Sequence, residues 1–211
     1  MKINNFPNKI AVFPLSNAIF FPRTILPLNI FEERYVQLIN DCMKGDRLFG
    51  MVQPKIKKKN TEVYSIGCLG KIISFNEVAD KRFIISLSGL IRYKIIKELF
   101  SDKLYRQFQV DYSDFSEDLI IANDKKEEKD SIELLNKIKI FFKKKGILID
   151  YEKLKKLNLD QLIHTTCMIS PFSVEEKQKL IETIKINDKI EVLEEIIKFN
   201  SIETFKSKTI Q

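Results

Sequence analysis

The sequence predicts an α+β fold, a strand-built first half followed by a helical second half, from three observations. Gly45, Gly50, Gly67, Gly70 and Gly89, five of the six glycines, precede residue 90, as do Pro7, Pro14, Pro22, Pro27 and Pro54, five of the six prolines. Apolar residues alternate with period two in the first half and recur at helical spacing in the second. Four helix-start signatures, an acceptor followed three residues later by Glu or Gln, mark the second half, with an apolar stripe behind each. A β-rich domain over residues 1–116 and a helical bundle over 117–211 are expected, with the polar run ANDKKEEKD (122–130) as the junction, a loop or a frayed helix start.

In the first half, FFPRTILPLNIFEER (20–34) places Pro22 and Pro27 inside an apolar run. Proline lacks an amide donor, so this stretch is neither a regular helix nor a central strand. FEERYVQLINDCMKG follows as the one helix of this half. Tyr35, Leu38, Ile39 and Cys42 share a face, and Gly45 suits its C-terminal cap. LFGMVQP (48–54) reads as a strand after the turn chemistry of Gly45 and Asp46. In RFIISLS (82–88), Phe83, Ile85 and Leu87 point one way while Ile84, Ser86 and Ser88 point the other. Residues 78–81 can close a hairpin to the preceding strand, and Ser88–Gly89 is expected to break to the next. YRQFQVDY (105–112) alternates again.

In the second half the cap patterns are Asp130 with Glu133, Asn158 with Gln161, Ser173 with Glu176, and Asp188 with Glu191. The stripes are Leu134, Leu135, Ile138, Phe141 and Phe142; Leu159, Leu162, Ile163, Thr166 and Cys167; Leu180, Ile181 and Ile184; and Val192, Leu193, Ile196 and Phe199. Tyr151, Leu154 and Leu157 add a short helix after Gly146. Four caps in register with four stripes indicate a small bundle.

Composition narrows the function classes. The 211 residues are 44% hydrophobic and 31% charged, ordinary for a soluble globular chain. No stretch approaches the ~20 apolar residues of a membrane span, and MKINNFPNKIAVFPL lacks the form of a secretory signal. Cys42, Cys68 and Cys167 are odd in number and far apart, which reads as free thiols in a reducing compartment, and the chain is placed in the cytoplasm. Residues 1–115 hold 18 Lys and Arg against 11 Asp and Glu, while residues 116–211 hold 18 of each. The whole net charge of +7 therefore belongs to the first half.

The residues for common chemistries do not assemble. No GxxxxGK[ST] phosphate loop and no GxGxxG occurs. A zinc site needs several His or Cys ligands at matched spacing, and the sequence has one histidine, His164, and no CxxC. His164 lies off the main apolar stripe of its helix and reads as a surface or boundary residue. Cys167 follows three residues later without an orienting group or an oxyanion signature. No catalytic residue, cofactor or metal is expected. The run KIKKKN (55–60) is the sharpest charge feature; it reads as a solubilising exposed loop tip, and its functional reading is contact with nucleic acid or an acidic partner.

The words FPL (13–15), FFP (20–22), LPLNIFEERY (26–35), GDRLFGMV (45–52), VYSIGCLGKI (63–72), DKRFIISLSGLIRY (80–93), LYR (104–106) and PFSVEEKQKLIE (171–182) resemble the amino-terminal domain of the Lon proteases. The resemblance is closest to free-standing bacterial proteins that carry this domain alone, and it covers nearly the whole chain. It implies a PUA-like β pseudobarrel followed by a helical bundle. It also implies that Leu26, Leu28 and Ile30 alternate into the core and that Phe31 packs where the chain enters the helix. In Lon this region is the substrate-recognition part. The ATPase and the Ser–Lys peptidase lie further along that chain, and neither is found in these 211 residues. The resemblance thus implies a non-catalytic module for unfolded or exposed polypeptide segments, working with a separate protease or chaperone, with Phe20, Phe21 and Phe75 as peptide-binding candidates. The alternative is RNA binding, since PUA-like folds elsewhere contact RNA, through Lys55, Lys57, Lys58, Lys59, Arg82 and Arg92.

Overall fold

The computed structural model describes residues 3–16, 18–55, 62–78, 82–120 and 126–206. The chain divides into two compact units, residues 1–121 and 122–211. The first extends past residue 116 because the 3₁₀ segment Ser113–Leu119 buries Phe115 and Asp118 in it.

The first unit contains β1 (Lys9–Pro14), β2 (Ile25–Ile30), α1 (Glu33–Met43), β3 (Leu48–Val52), β4 (Ile66–Val78), β5 (Arg82–Leu99) and β6 (Arg106–Asp111). β1 pairs in parallel with β3 and antiparallel with β6; β4 lies antiparallel between β3 and β5; β6 returns to the C-terminal part of β5. These pairings close a five-stranded ring, the pseudobarrel. β2 stands outside it and pairs only with residues 83–88 of β5. Phe6, Ile10, Val12, Val52, Leu69, Ile91, Tyr93, Phe108 and Val110 are among the buried side chains of the barrel core.

The alternation Phe83, Ile85, Leu87 in and Ile84 out holds. The break at Gly89 does not occur. β5 runs through it, because a Cβ there would strike the Phe21 carbonyl, and glycine lets the 21–24 segment bond directly to the strand. The Arg23 N–H donates to the Gly89 carbonyl and the Gly89 N–H donates to the Thr24 carbonyl, each at 2.9 Å. The ladder answers how Pro27 sits in a strand. Counting on from that Gly89–Thr24 bond, Leu26, Leu28 and Ile30 are the positions bonded to β5, and Ile25, Pro27 and Asn29 face the open edge. The missing amide of Pro27 thus costs no ladder bond. Leu28 and Ile30 are buried and Leu26 is half-buried, as expected. Phe31 is not packed; it is 65% exposed. It shares the parity of the outward β2 residues rather than that of Leu28 and Ile30.

α1 buries Tyr35, Leu38 and Ile39. Its exit is not made by Gly45. The left-handed backbone falls on Arg47, whose carbonyl accepts the Ile72 N–H at 2.9 Å.

The second unit is helical: α2 (Lys126–Lys145), α3 (Tyr151–Leu154), α4 (Leu159–Ile169), α5 (Val174–Glu182) and α6 (Ile186–Lys206). Leu134, Ile138, Phe141 and Phe142 of α2 are buried, as are Leu159, Leu162, Ile163 and Cys167 of α4. Two of the four caps form as read. The Asn158 side chain accepts from the Gln161 N–H, and Ser173 with Glu176 makes a reciprocal capping box. Asp130 and Asp188 are not caps; α2 and α6 begin before them. Asp150, unforeseen, caps α3. Ile184 and Phe199 leave their stripes. Ile184 lies beyond the end of α5, and the buried face of α6 runs through Lys189, Leu193, Ile196, Ile197 and Asn200.

Candidate functional site

Apart from Phe31 and Ile120, the exposed large apolar side chains among the described residues of the barrel unit gather in two places. One is the three-stranded flap in which β2, the first half of β5 and the second half of β4 lie side by side. Here Ile25, Ile73 (53% exposed) and Ile84 (47%) are exposed, and Phe75 is half-buried with its ring 5.0 Å from that of Phe83. A bulge between Ile72 and Ser74 breaks the register of β4 at Ile73.

The other is the turn between β5 and β6, which presents Phe100 at 96% exposure beside exposed Ile96 and Leu104. Polar contacts pin it to α1 and to itself. The Leu104 N–H donates to Gln37 Oε1 at 2.8 Å, Lys103 Nζ and the Tyr105 hydroxyl donate to Asp41 Oδ2 at 2.8 and 3.0 Å, and Arg106 pairs with Glu98 at 2.7 Å. The Lys103 hydrogen bond holds the Asp41 carboxyl below the usual carboxylate range, and the Arg106 hydrogen bond does the same for Glu98. The turn lines an open cleft of about 440 Å³ whose walls include Glu98, Lys103 and Arg106. An apolar side chain projecting from a fixed turn is a contact surface rather than a reaction site.

Two of the three aromatic candidates are corrected. Phe20 and Phe21 are core side chains, sealed where the 19–24 segment packs against β4 and β5. Phe75 alone reaches the surface. Of the basic candidates, Lys55 places its ammonium 5.6 Å from the centre of the Tyr64 ring, and Arg82 is exposed at the start of β5. Lys57, Lys58 and Lys59 lie outside the described residues. Arg92 is corrected: it is 1% exposed and bonded to Asp118, out of reach of any phosphate.

His164 is corrected as well. It is buried, with Nε2 hydrogen-bonded to Lys189 Nζ at 3.0 Å and 3.4 Å from Asp160 Oδ1. The i,i+4 spacing to Asp160 was visible in the sequence; the partner on α6 was not. Burial pushes the thiols of Cys42 and Cys167 up to about 12, and that of Cys68 well up, so at neutral pH each is a protonated thiol and a poor nucleophile. Among the described residues, no group of three or more His, Cys, Asp or Glu could hold a metal ion, and no helix is long and apolar enough to cross a membrane.

A closed barrel with a strand flap, joined in sequence to a helical unit, defines a two-unit α+β protein. The family model of the ATP-dependent protease La (LON) substrate-binding domain matches residues 9–198, and the chain belongs to that family. Among curated relatives, the Lon protease of Anaeromyxobacter dehalogenans is 21% identical over 92% of this chain and 23% of its own length. The Lon protease of Dictyoglomus thermophilum is 21% identical over 89% of this chain and 24% of its own. The chain thus spans about a quarter of the length of these relatives. The N-terminal domain of a Mycobacterium avium complex Lon protease superposes with a TM-score of 0.65 at 14% identity, covering 90% of this chain and 98% of that one. A Lon N-terminal domain protein from Xanthomonas campestris gives 0.63 at 17% identity, covering 88% and 96%. These two likenesses show the fold.

Proposed function

We propose that this chain is a non-catalytic module that holds unfolded or exposed polypeptide segments, and that a separate protease or chaperone acts on what it holds. The observation that carries the reading is the match of residues 9–198 to a substrate-binding domain. The surface agrees with it. Phe100 stands almost fully in water on a turn fixed by Gln37 and Asp41, and Ile25, Ile73 and Ile84 stand out from the strand flap. Such side chains cost solubility and return nothing to the fold, which suits contact with apolar segments of another chain. The buried thiols and the buried His164 are consistent with a module that does no bond chemistry.

The test uses a permanently unfolded probe, reduced and carboxymethylated α-lactalbumin, with the native protein as control. Fluorescence anisotropy is expected to show binding of the unfolded probe at micromolar concentration and none of the native one. Equal binding of both, or of neither, overturns the reading. So does cleavage of the probe by the purified chain.

A further inference from the structure

The flap has two open edges, and they are not alike. On β2 the outward positions are Ile25, Pro27 and Asn29, and Pro27 removes the central donor, a common device against strand addition. On the other side, β3 pairs with β4 only from Cys68 to Lys71. The next amide, Ile72, is taken by the Arg47 carbonyl, and the left-handed backbone of Arg47 then leads back to α1. Past Ile72, β4 has no strand on that side among the described residues.

The parity of β5 says which groups are exposed. Its residues 83, 85 and 87 bond to β2, so 82, 84 and 86 bond to β4. Their partners Val78, Asn76 and Ser74 are therefore satisfied. The N–H and C=O groups of Phe75 and Glu77 point to the open edge. No proline or lysine lies between residues 72 and 78 to blunt it. The Phe75 ring lies on the same face as Phe83 and Ile85, half-buried at the rim of the flap.

We infer that the edge of β4 at Phe75 and Glu77 binds an extended polypeptide segment by strand addition, with an apolar side chain of that segment set beside Phe75. Unpaired main-chain donors and acceptors two residues apart are met in full by another extended main chain. A residue bonded to Phe75 places its side chain on the face of Phe75, where an apolar group continues the row made by Phe83 and Ile85. Sequence tolerance follows, because main-chain pairing reads no side chain and one apolar position reads little. The inference rests on the proposed polypeptide-binding function and assigns it a place and a mode.

The experiment uses the full chain with the same unfolded probe. Amide hydrogen exchange followed by NMR is expected to slow at Phe75 and Glu77 when the probe is added, with the amides of Ile25 and Asn29 on the other edge unchanged. Glu77→Pro removes one outward donor without touching the bonds to β5, and Phe75→Lys places a charge at the rim. Each is expected to weaken probe binding by about tenfold or more, while Asn29→Lys on the β2 edge leaves it within about twofold. If the wild-type chain binds the probe but the exchange rates of Phe75 and Glu77 do not change, strand addition is overturned and the polypeptide-binding reading stands. If the wild-type chain does not bind the probe, both fall. Exchange in the wild-type chain decides the matter even if a variant does not fold. A dimer that forms without probe and is dissociated by Glu77→Pro would make a second copy of the chain the occupant, and would overturn the proposal.

Discussion

Asp118 closes a gap in the ladder of β5 by binding Arg92 twice over. One edge of β5 is covered by β2 at residues 83–88 and by β6 at residues 94–99, which leaves a gap between them. Asp118 Oδ2 accepts the main-chain N–H of Arg92 in that gap at 2.9 Å, and Oδ1 accepts from Arg92 Nη2 at 2.7 Å. The guanidinium carbon lies 4.8 Å from the centre of the Phe115 ring. Both partners are nearly inaccessible, with side chains 2% and 4% exposed. Removing one charge strands the other in the core, which costs more than the pair itself returns. Asp118→Ala is expected to lower the unfolding free energy of the barrel by about 3–5 kcal/mol. Arg92→Met with Asp118→Leu should recover most of that loss, as read by urea denaturation. Equal stability of the single and double variants would contradict the arrangement.

Gly89 is held to glycine by proximity. Its φ lies outside the left-handed region, but any Cβ meets the Phe21 main chain, which cannot move like a flexible side chain. Gly89→Ala is expected to cost about 1–3 kcal/mol, the usual range for forcing a methyl group into packed surroundings. Gly146→Ala has open space but a φ of +69°, so its smaller cost, about 1 kcal/mol, comes from backbone strain. Thermal denaturation of the two variants separates the mechanisms by size.

The helical unit buries Lys189, with its Nζ hydrogen-bonded to His164 Nε2 at 3.0 Å. His164→Leu removes a hydrogen-bond partner of a buried polar group and is expected to cost about 1–3 kcal/mol. Lys189→Met removes the buried amine and fills similar volume, so it should cost less. A double-mutant cycle on the unfolding free energy should show coupling between the two positions.

These two residues show where the sequence stopped being legible. Period two in RFIISLS, the Tyr35–Leu38–Ile39 face and the α2 stripe were readable because each is a local repeat whose outcome is burial of its apolar side. The buried face of α6 is hidden in the sequence because it carries Lys189 and Asn200. Their partners, His164 and Glu176, lie on other helices 25 and 24 residues away. Gly89 resembles a break because a glycine in a strand looks the same whether it ends the strand or admits a neighbour. Arg92 looked like a surface cation because its counterion lies 26 residues on. Of the site, Phe75 was legible as an aromatic in a strand. The open edge beside it was not, since it depends on where β3 ends relative to β4.

Caps divide by the same logic. Ser173 and Glu176 bond reciprocally, at 3.1 Å to the Glu176 N–H and 2.7 Å to the Ser173 N–H. Ser173→Ala is expected to cost about 1 kcal/mol at any ionic strength, because a short hydrogen bond is lost. Asp188 sits in the first turn of α6 without being its cap. Asp188→Ala loses only a dipole interaction, about 0.3–1 kcal/mol at low salt, and that loss should shrink as salt rises. Unfolding at two salt concentrations distinguishes them.

The turn bearing Phe100 should loosen in acid. Asp41 accepts from Lys103 and from Tyr105, and both bonds favour its ionised form, so its carboxyl titrates below the ordinary range. A carboxyl whose pKa is lower in the docked state contributes stability above its undocked value and loses it as pH falls through its docked one. The docked turn is therefore at full strength above about pH 4–5 and weakens below about pH 4. Amide shifts of Leu104 and Tyr105 should follow that titration. In Asp41→Asn the acceptor oxygen remains but the charge does not, so those shifts should lose their dependence on pH in this window while the turn is weaker at neutral pH. The half-exposed Lys103 side chain makes its ion-pair part sensitive to salt, whereas the bond from the Leu104 N–H to Gln37 is not. High salt at neutral pH should consequently loosen Lys103 before Leu104. Simultaneous loss of both would mean that Asp41, rather than Gln37, holds the turn.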